Sequence, residues 1–165
     1  MKRSGWQRTW VQILMTVLTV AVMVFIFIFS TEDAESSDQT SGIISRQVIP
    51  FVYPDYEQKS PEERKICYDN VQHIVRKTAH FTEYMILGLL IRLCLESWFG
   101  RRKRLLTASW AAGTIYAGTD ELHQLLIDGR SGQWTDVLLD SGGVMTGVLI
   151  AVLVLYLSSR KRLQA

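Results

Sequence analysis

The sequence predicts an all-α integral membrane protein, a four-helix transmembrane bundle with both termini cytoplasmic. Three observations predict it. Of its 165 residues 48% are hydrophobic, and they gather in blocks of about 20, the length at which a helix crosses the hydrocarbon core. The basic residues collect in three short segments that contain no acid. Inside the apolar blocks, the polar residues recur at spacings of three and four, which places them on helix faces rather than at random.

The first block covers residues 10–29. Lys2, Arg3 and Arg8 precede it, as in the basic region of a signal peptide, but its apolar run far exceeds the 7 to 15 residues of a signal core and no small-residue cleavage site follows. It reads as a retained anchor. Residues 31–72 then hold nine acids against four basic residues, a balance suited to translocation. The Ser-rich half, "STEDAESSDQTSG", is polar and low in complexity and suggests a mobile stretch. "IISRQVIPFVYP" is apolar enough to rest on a membrane surface. Ser60, Pro61 and Glu63 mark a helix start, with Ser60 as N-cap, Pro61 at the first helical position and Glu63 closing a capping box.

The second, third and fourth blocks cover 78–99, 105–127 and 134–157. The link "GRRKR" separates the second from the third, and Arg160, Lys161 and Arg162 follow the fourth. Together with the first eight residues these segments hold ten of the eighteen basic residues. The positive-inside rule puts all three in the cytoplasm. Four units follow: an N-terminal anchor (1–30), an extracytoplasmic loop with a surface helix (31–75), a three-span core (76–157) and a basic tail (158–165).

That topology brings the polar residues to one level. Arg76, Lys77, His80, Glu83 and Tyr84 share a face of the second span. Asp120, Glu121, Gln124 and Asp128 occupy the outer half of the third, and Asp136 and Asp140 that of the fourth. Arg130 belongs to the short outer turn, where Asp128-Gly129 supplies turn chemistry. A charge at mid-bilayer costs about 2.5–3.5 kcal/mol on insertion scales, so these groups are expected to face one another in a polar pocket open toward the outer surface. Deeper in the fourth span, Gly143 and Gly147 form a GxxxG spacing that allows close helix contact, and Ala111, Ala112, Gly113, Ala117 and Gly118 offer a matching small surface on the third. Arg92 and Glu96, four apart, read as an internal ion pair.

Several functions are disfavoured. There is no repeat of the transporter kind, no P-loop or nucleotide fingerprint, and the basic tracts abut spans, which suits anionic lipid better than nucleic acid. His80 and His123, the two histidines on the spans, without an HExxH pattern give a weak case for metal, and no metal or cofactor is expected. Cys67 and Cys94 have no ligand company and suggest no disulfide.

"RKTAHFTEY" (76–84), "DELHQLLIDGR" (120–130) and "DVLLDSGGVMTG" (136–147) occur in this order, and together they resemble the three signature blocks of the VanZ family. The resemblance covers residues 76–150 and extends to the anchor and Ser-rich segment of its Gram-positive members. Asp140 stands where many members carry asparagine, and "DG" replaces the "PG" that often precedes the signature arginine. The resemblance implies a bacterial cell-membrane protein of the cell envelope, associated with reduced susceptibility to teicoplanin-type glycopeptides. Two functions are open at this point. In the first, Arg76, Lys77, His80, Tyr84, Gln124, Arg130, Asp136 and Asp140 bind an envelope lipid, a lipid-linked cell-wall precursor or a lipoglycopeptide antibiotic. In the second, His80, Glu83, Asp120 and Glu121 supply acid-base chemistry on a lipid-linked precursor.

Overall fold

The computed structural model describes residues 5–31, 34–127 and 133–164. Within them the chain is helical, without strands: α1 (Gly5–Ser30), α2 (Ala34–Val52), a short 3-10 turn (Tyr56–Gln58), α3 (Pro61–Phe99), α4 (Leu105–Gln124) and α5 (Trp134–Gln164). Three helices are long and apolar enough to cross a membrane, over Arg8–Ser30, Pro61–Phe99 and Trp134–Arg160. The third block, α4, has 20 residues but lies outside that group. Its polar last turns and small residues lower its hydropathy. It nonetheless packs on α1, α3 and α5, and it ends at Gln124 rather than continuing to Ile127.

The exposed surface identifies the solvent. Val17 and Ile28 on α1 are 58% and 56% exposed, and Leu149 and Leu153 on α5 are 50% and 55% exposed. Large aliphatic side chains at this density, on helices of this length, suit hydrocarbon rather than water. The interior is a narrow cluster of Ile26, Tyr84, Leu87, Ile91, Ala117, Val144 and Val148. Lipid tails are as apolar as leucine, so burial of these residues does not by itself drive helix association, and close packing must do so.

Glycine supplies that packing between α3 and α5. The two run parallel, so that Phe81 lies beside Gly143 and Met85 beside Gly147. A Cβ on Gly143 would stand 2.5 Å from the Phe81 carbonyl oxygen; at Gly147 it would collide with the Met85 carbonyl, and at Gly88 with the Val144 backbone. The GxxxG surface therefore meets α3 rather than the small face of α4, and Gly88 is its counterpart. On α4 only Gly113 takes part, receiving the Val144 side chain, whereas nothing lies within 4 Å of a Cβ built on Gly118.

α1 runs antiparallel to α3. Gln12 donates to the Ser97 carbonyl at 3.0 Å and Trp98 to Thr16 at 3.1 Å at one end, and nearer the other end Tyr116 of α4 donates to the Met23 carbonyl at 2.6 Å. Each contact gives a polar group within the bundle a partner it would lack in lipid.

α3 starts as the sequence indicates. Ser60 accepts from the Glu63 amide at 3.3 Å while the Glu63 carboxylate accepts from the Ser60 amide at 2.9 Å, with Pro61 following the cap. At 39 residues and 1.5 Å per residue the helix is about 58 Å long, against about 30 Å of hydrocarbon. Its first half therefore extends beyond the core, and no break occurs at residues 75 and 76. α2 folds back along this extension. The Ser-rich stretch that suggests mobility is helical from Ala34, because small side chains let α2 approach α3: Ser41, Gly42 and Ser45 are buried, and Gln72 donates to Ser41 at 3.4 Å. Exposed Ile43, Ile44 and Phe51 leave the rest of α2 apolar outward.

Gly147→Ala should destabilise the protein by about 2 kcal/mol, the order of other overpacking substitutions. Gly118→Ala should be neutral or stabilising by up to about 1 kcal/mol, because it adds helix propensity without a clash. Melting of both variants in one detergent checks the opposite signs, and equal melting points would refute direct backbone contact between α3 and α5.

Candidate functional site

The polar face of α3, the last turns of α4 and the first turns of α5 meet at one end of the bundle. Parallel pairing of α3 with α5 puts Lys77 beside Asp136, and the two form an ion pair with side chains 27% and 28% exposed. One turn deeper, His80 Nδ1 lies 4.0 Å from the Glu83 carboxylate. Tyr84 is fully buried, and its hydroxyl approaches the Asp120 carboxylate without closing a hydrogen bond. Arg76 is half-buried on the same helix.

α4 contributes acids of different surroundings. Asp120 is buried, and its Oδ2 accepts from Gln124 Nε2 at 3.2 Å, the i to i+4 contact of neighbouring turns. Its Oδ1 has no hydrogen-bond partner. Glu121 accepts at Oε1 from the backbone amide of Gln133 at 3.1 Å. That places a carboxylate at the N-terminus of α5, where unpaired amides and the helix dipole favour negative charge. Asp136 occupies the first turn of the same helix. Asp140, one turn further in, is 5% exposed and has a partnerless Oδ1.

Lys77, His80, Glu121, Gln124, Asp136 and Asp140 thus border one cavity together with Leu139. Its volume is about 10 Å³, room for about one water. The site is a closed polar cluster more than an open pocket. His123 does not join it: its ring stacks on Phe27 of α1 with centroids 4.6 Å apart. Among the described residues no group of three or more His, Cys, Asp or Glu side chains is arranged to hold a metal ion. Asp128, Gly129 and Arg130 lie outside the described residues.

Two features escape a reading by sequence. The Gln133 amide has no side-chain signature, being a backbone donor at a helix start. Ser141 binds both Trp110 Nε1, at 3.0 Å, and the Thr114 hydroxyl, at 2.9 Å, fixing α4 against α5 directly below the acids. Its position beside Asp140 was the available signal.

A family model described as VanZ/LLP1 matches residues 15–155. No curated protein and no solved structure gives a significant match.

If Lys77 and Asp136 hold α3 to α5, a double-mutant cycle of Lys77→Met and Asp136→Asn should show a coupling of about 1 kcal/mol, toward the lower part of the range for contacting residues because both groups are partly exposed. Thermal melting after reconstitution reads it. Additive effects would mean that the pair contributes nothing to stability.

Proposed function

The chain belongs to the VanZ family, and from that premise we propose that it is a bacterial cell-envelope protein that lowers susceptibility to teicoplanin-type glycopeptides by binding an amphiphilic envelope ligand at its polar end. The ligand is an envelope lipid, a lipid-linked precursor or the acyl-bearing antibiotic itself. Both chain termini lie in the cytoplasm in this reading, because three basic segments share one side, and the polar end faces outward. The observation that carries it is the meeting of Lys77, Asp136, Glu121 and Asp140 from three helices at one end of a lipid-facing bundle.

The cavity among these groups takes about one water, so a ligand engages the site from its partly exposed rim. An anionic group displaces the Asp136 carboxylate from Lys77, and Arg76 and Arg130 are the further cations of this reading. Charge-assisted donors of this kind hold phosphate and carboxylate well. Gln124 and Asp140 orient the polar interior, while Tyr84 anchors α3 beneath it.

A second reading rests on the 4.0 Å approach of His80 to Glu83 and on the partnerless oxygens of Asp120 and Asp140. It makes the cluster an acid-base site on a lipid-linked precursor, with Asp120 or Glu121 as base and His80 as acid. Geometry supports it less, since Glu121 is tied to the Gln133 amide and the cavity cannot admit a reacting group without opening.

Expressed in a susceptible Gram-positive host at equal membrane abundance, the wild type should protect against teicoplanin more than against vancomycin, and Glu121→Gln should lose that protection. Equal protection by both would reduce Glu121 to a structural acid. A change in envelope-lipid composition that depends on Glu121 would favour the catalytic reading, and an unchanged lipid profile the binding one.

A further inference from the structure

The opposite end of the bundle contains a larger cleft, independent of the polar cluster. α3 stops at Gly100, whose φ of +68° is the left-handed conformation that glycine adopts freely. The chain turns there and presents Arg101, Arg102 and Lys103 beside the end of α5. These three and Arg92 line one side of a cavity of about 500 Å³, within the 300–1,000 Å³ of typical ligand clefts. The other walls are Leu106 of α4 with Val152, Leu155 and Tyr156 of α5.

Charge in this cleft is unbalanced. One acid, Glu96, serves two guanidinium groups, lying 2.6 Å from Arg92 Nη2 and 3.3 Å from Arg101 Nε. Arg101 also donates to the Leu155 carbonyl, which ties the link to α5. Arg92 is 6% exposed, and its Nε and Nη1 have no hydrogen-bond partner. A buried charged donor left unsatisfied is costly. Arginine presents its donors as a planar fork that fits phosphate.

We propose that this cleft is a binding site for an anionic phospholipid, with the phosphodiester held by Arg92 and the Arg101–Lys103 turn and an acyl chain lying along Leu106, Val152 and Leu155. The combination of cations with aliphatic walls selects an amphiphile over a free anion. Position agrees as well, because the cleft lies where α3 ends and the chain turns into α4, and basic residues beside the end of a span attract anionic headgroups. Basic residues elsewhere near the surface attract anionic lipid without a built site; here the buried Arg92 and the enclosing walls define one.

Full-length protein in mild detergent, titrated with phosphatidylglycerol or phosphatidylcholine and read by native mass spectrometry, tests the proposal. Phosphatidylglycerol should bind at least about tenfold more tightly, and Arg102→Gln with Lys103→Gln should weaken it by about tenfold. Val152→Trp, which fills the cleft without changing charge, should remove most of the preference. Equal binding of the two lipids, or undiminished binding to a folded Val152→Trp variant, overturns the proposal. So does displacement of the lipid by millimolar glycerol 3-phosphate, which would make the site one for soluble phosphate. Arg102 and Lys103 are exposed, so their double variant remains informative if Val152→Trp fails to fold.

Discussion

Backbone contact between α3 and α5 is the constraint on which the rest of the structure depends. In hydrocarbon, apolar side chains gain nothing by leaving lipid for each other, so helix pairs need close van der Waals fit or polar bonds. Gly88, Gly143 and Gly147 provide the first. With the register set there, Lys77 reaches Asp136 at one end, and Arg101 reaches the Leu155 carbonyl at the other. α4 then fits against the pair through Gly113 and the Ser141 hydroxyl.

The polar end shows how a bundle tolerates many acids. Each carboxylate is treated differently: Asp136 has a lysine, Glu121 a helix-terminal amide, Asp120 a glutamine from its own helix. Neutral and cationic donors come from two helices, α3 and α4, and from one backbone amide at the start of α5, which is why the whole cluster cannot form on any helix alone. Removing an acid would therefore leave its donor stranded in low dielectric, and removing a donor would strand an acid. Such mutual dependence makes the residues structural whatever else they do, so functional tests must be separated from abundance.

Much of this was legible in the sequence because it rests on local rules. The capping box at Ser60, the Arg92–Glu96 pair and the shared face of Lys77, His80 and Tyr84 follow from helical spacing. Gly143 and Gly147 announced a close contact. Their partner was not legible: spacing says that a face is smooth, not which neighbour lies on it, and the small residues of α4 were a false match for the single Gly88 of α3. The helical Ser-rich stretch was hidden for a related reason. Composition reports what a segment cannot bury alone, whereas α2 is stabilised by an exposed length of α3 that exists only because one helix runs through residues 61–99.

That uninterrupted helix also explains the asymmetry between the ends. A span of about 20 residues would place its charged residues at both interfaces alike. α3 instead carries its apolar turns toward the basic end and extends its first turns away from it, where α2 packs beside Tyr68 and Gln72 and leaves Glu62, Glu63, Lys65 and Asp69 exposed. At the basic end α3 stops at Phe99 while α5 continues to Gln164, and Gly100 turns the chain sharply, so Arg101, Arg102 and Lys103 line an apolar cleft against the side of α5. At the other end the helix surface continues, and polar side chains can close over one another on a packed scaffold. The polar cluster at one end and the apolar cleft at the other thus both follow from where α3 starts and stops relative to α5.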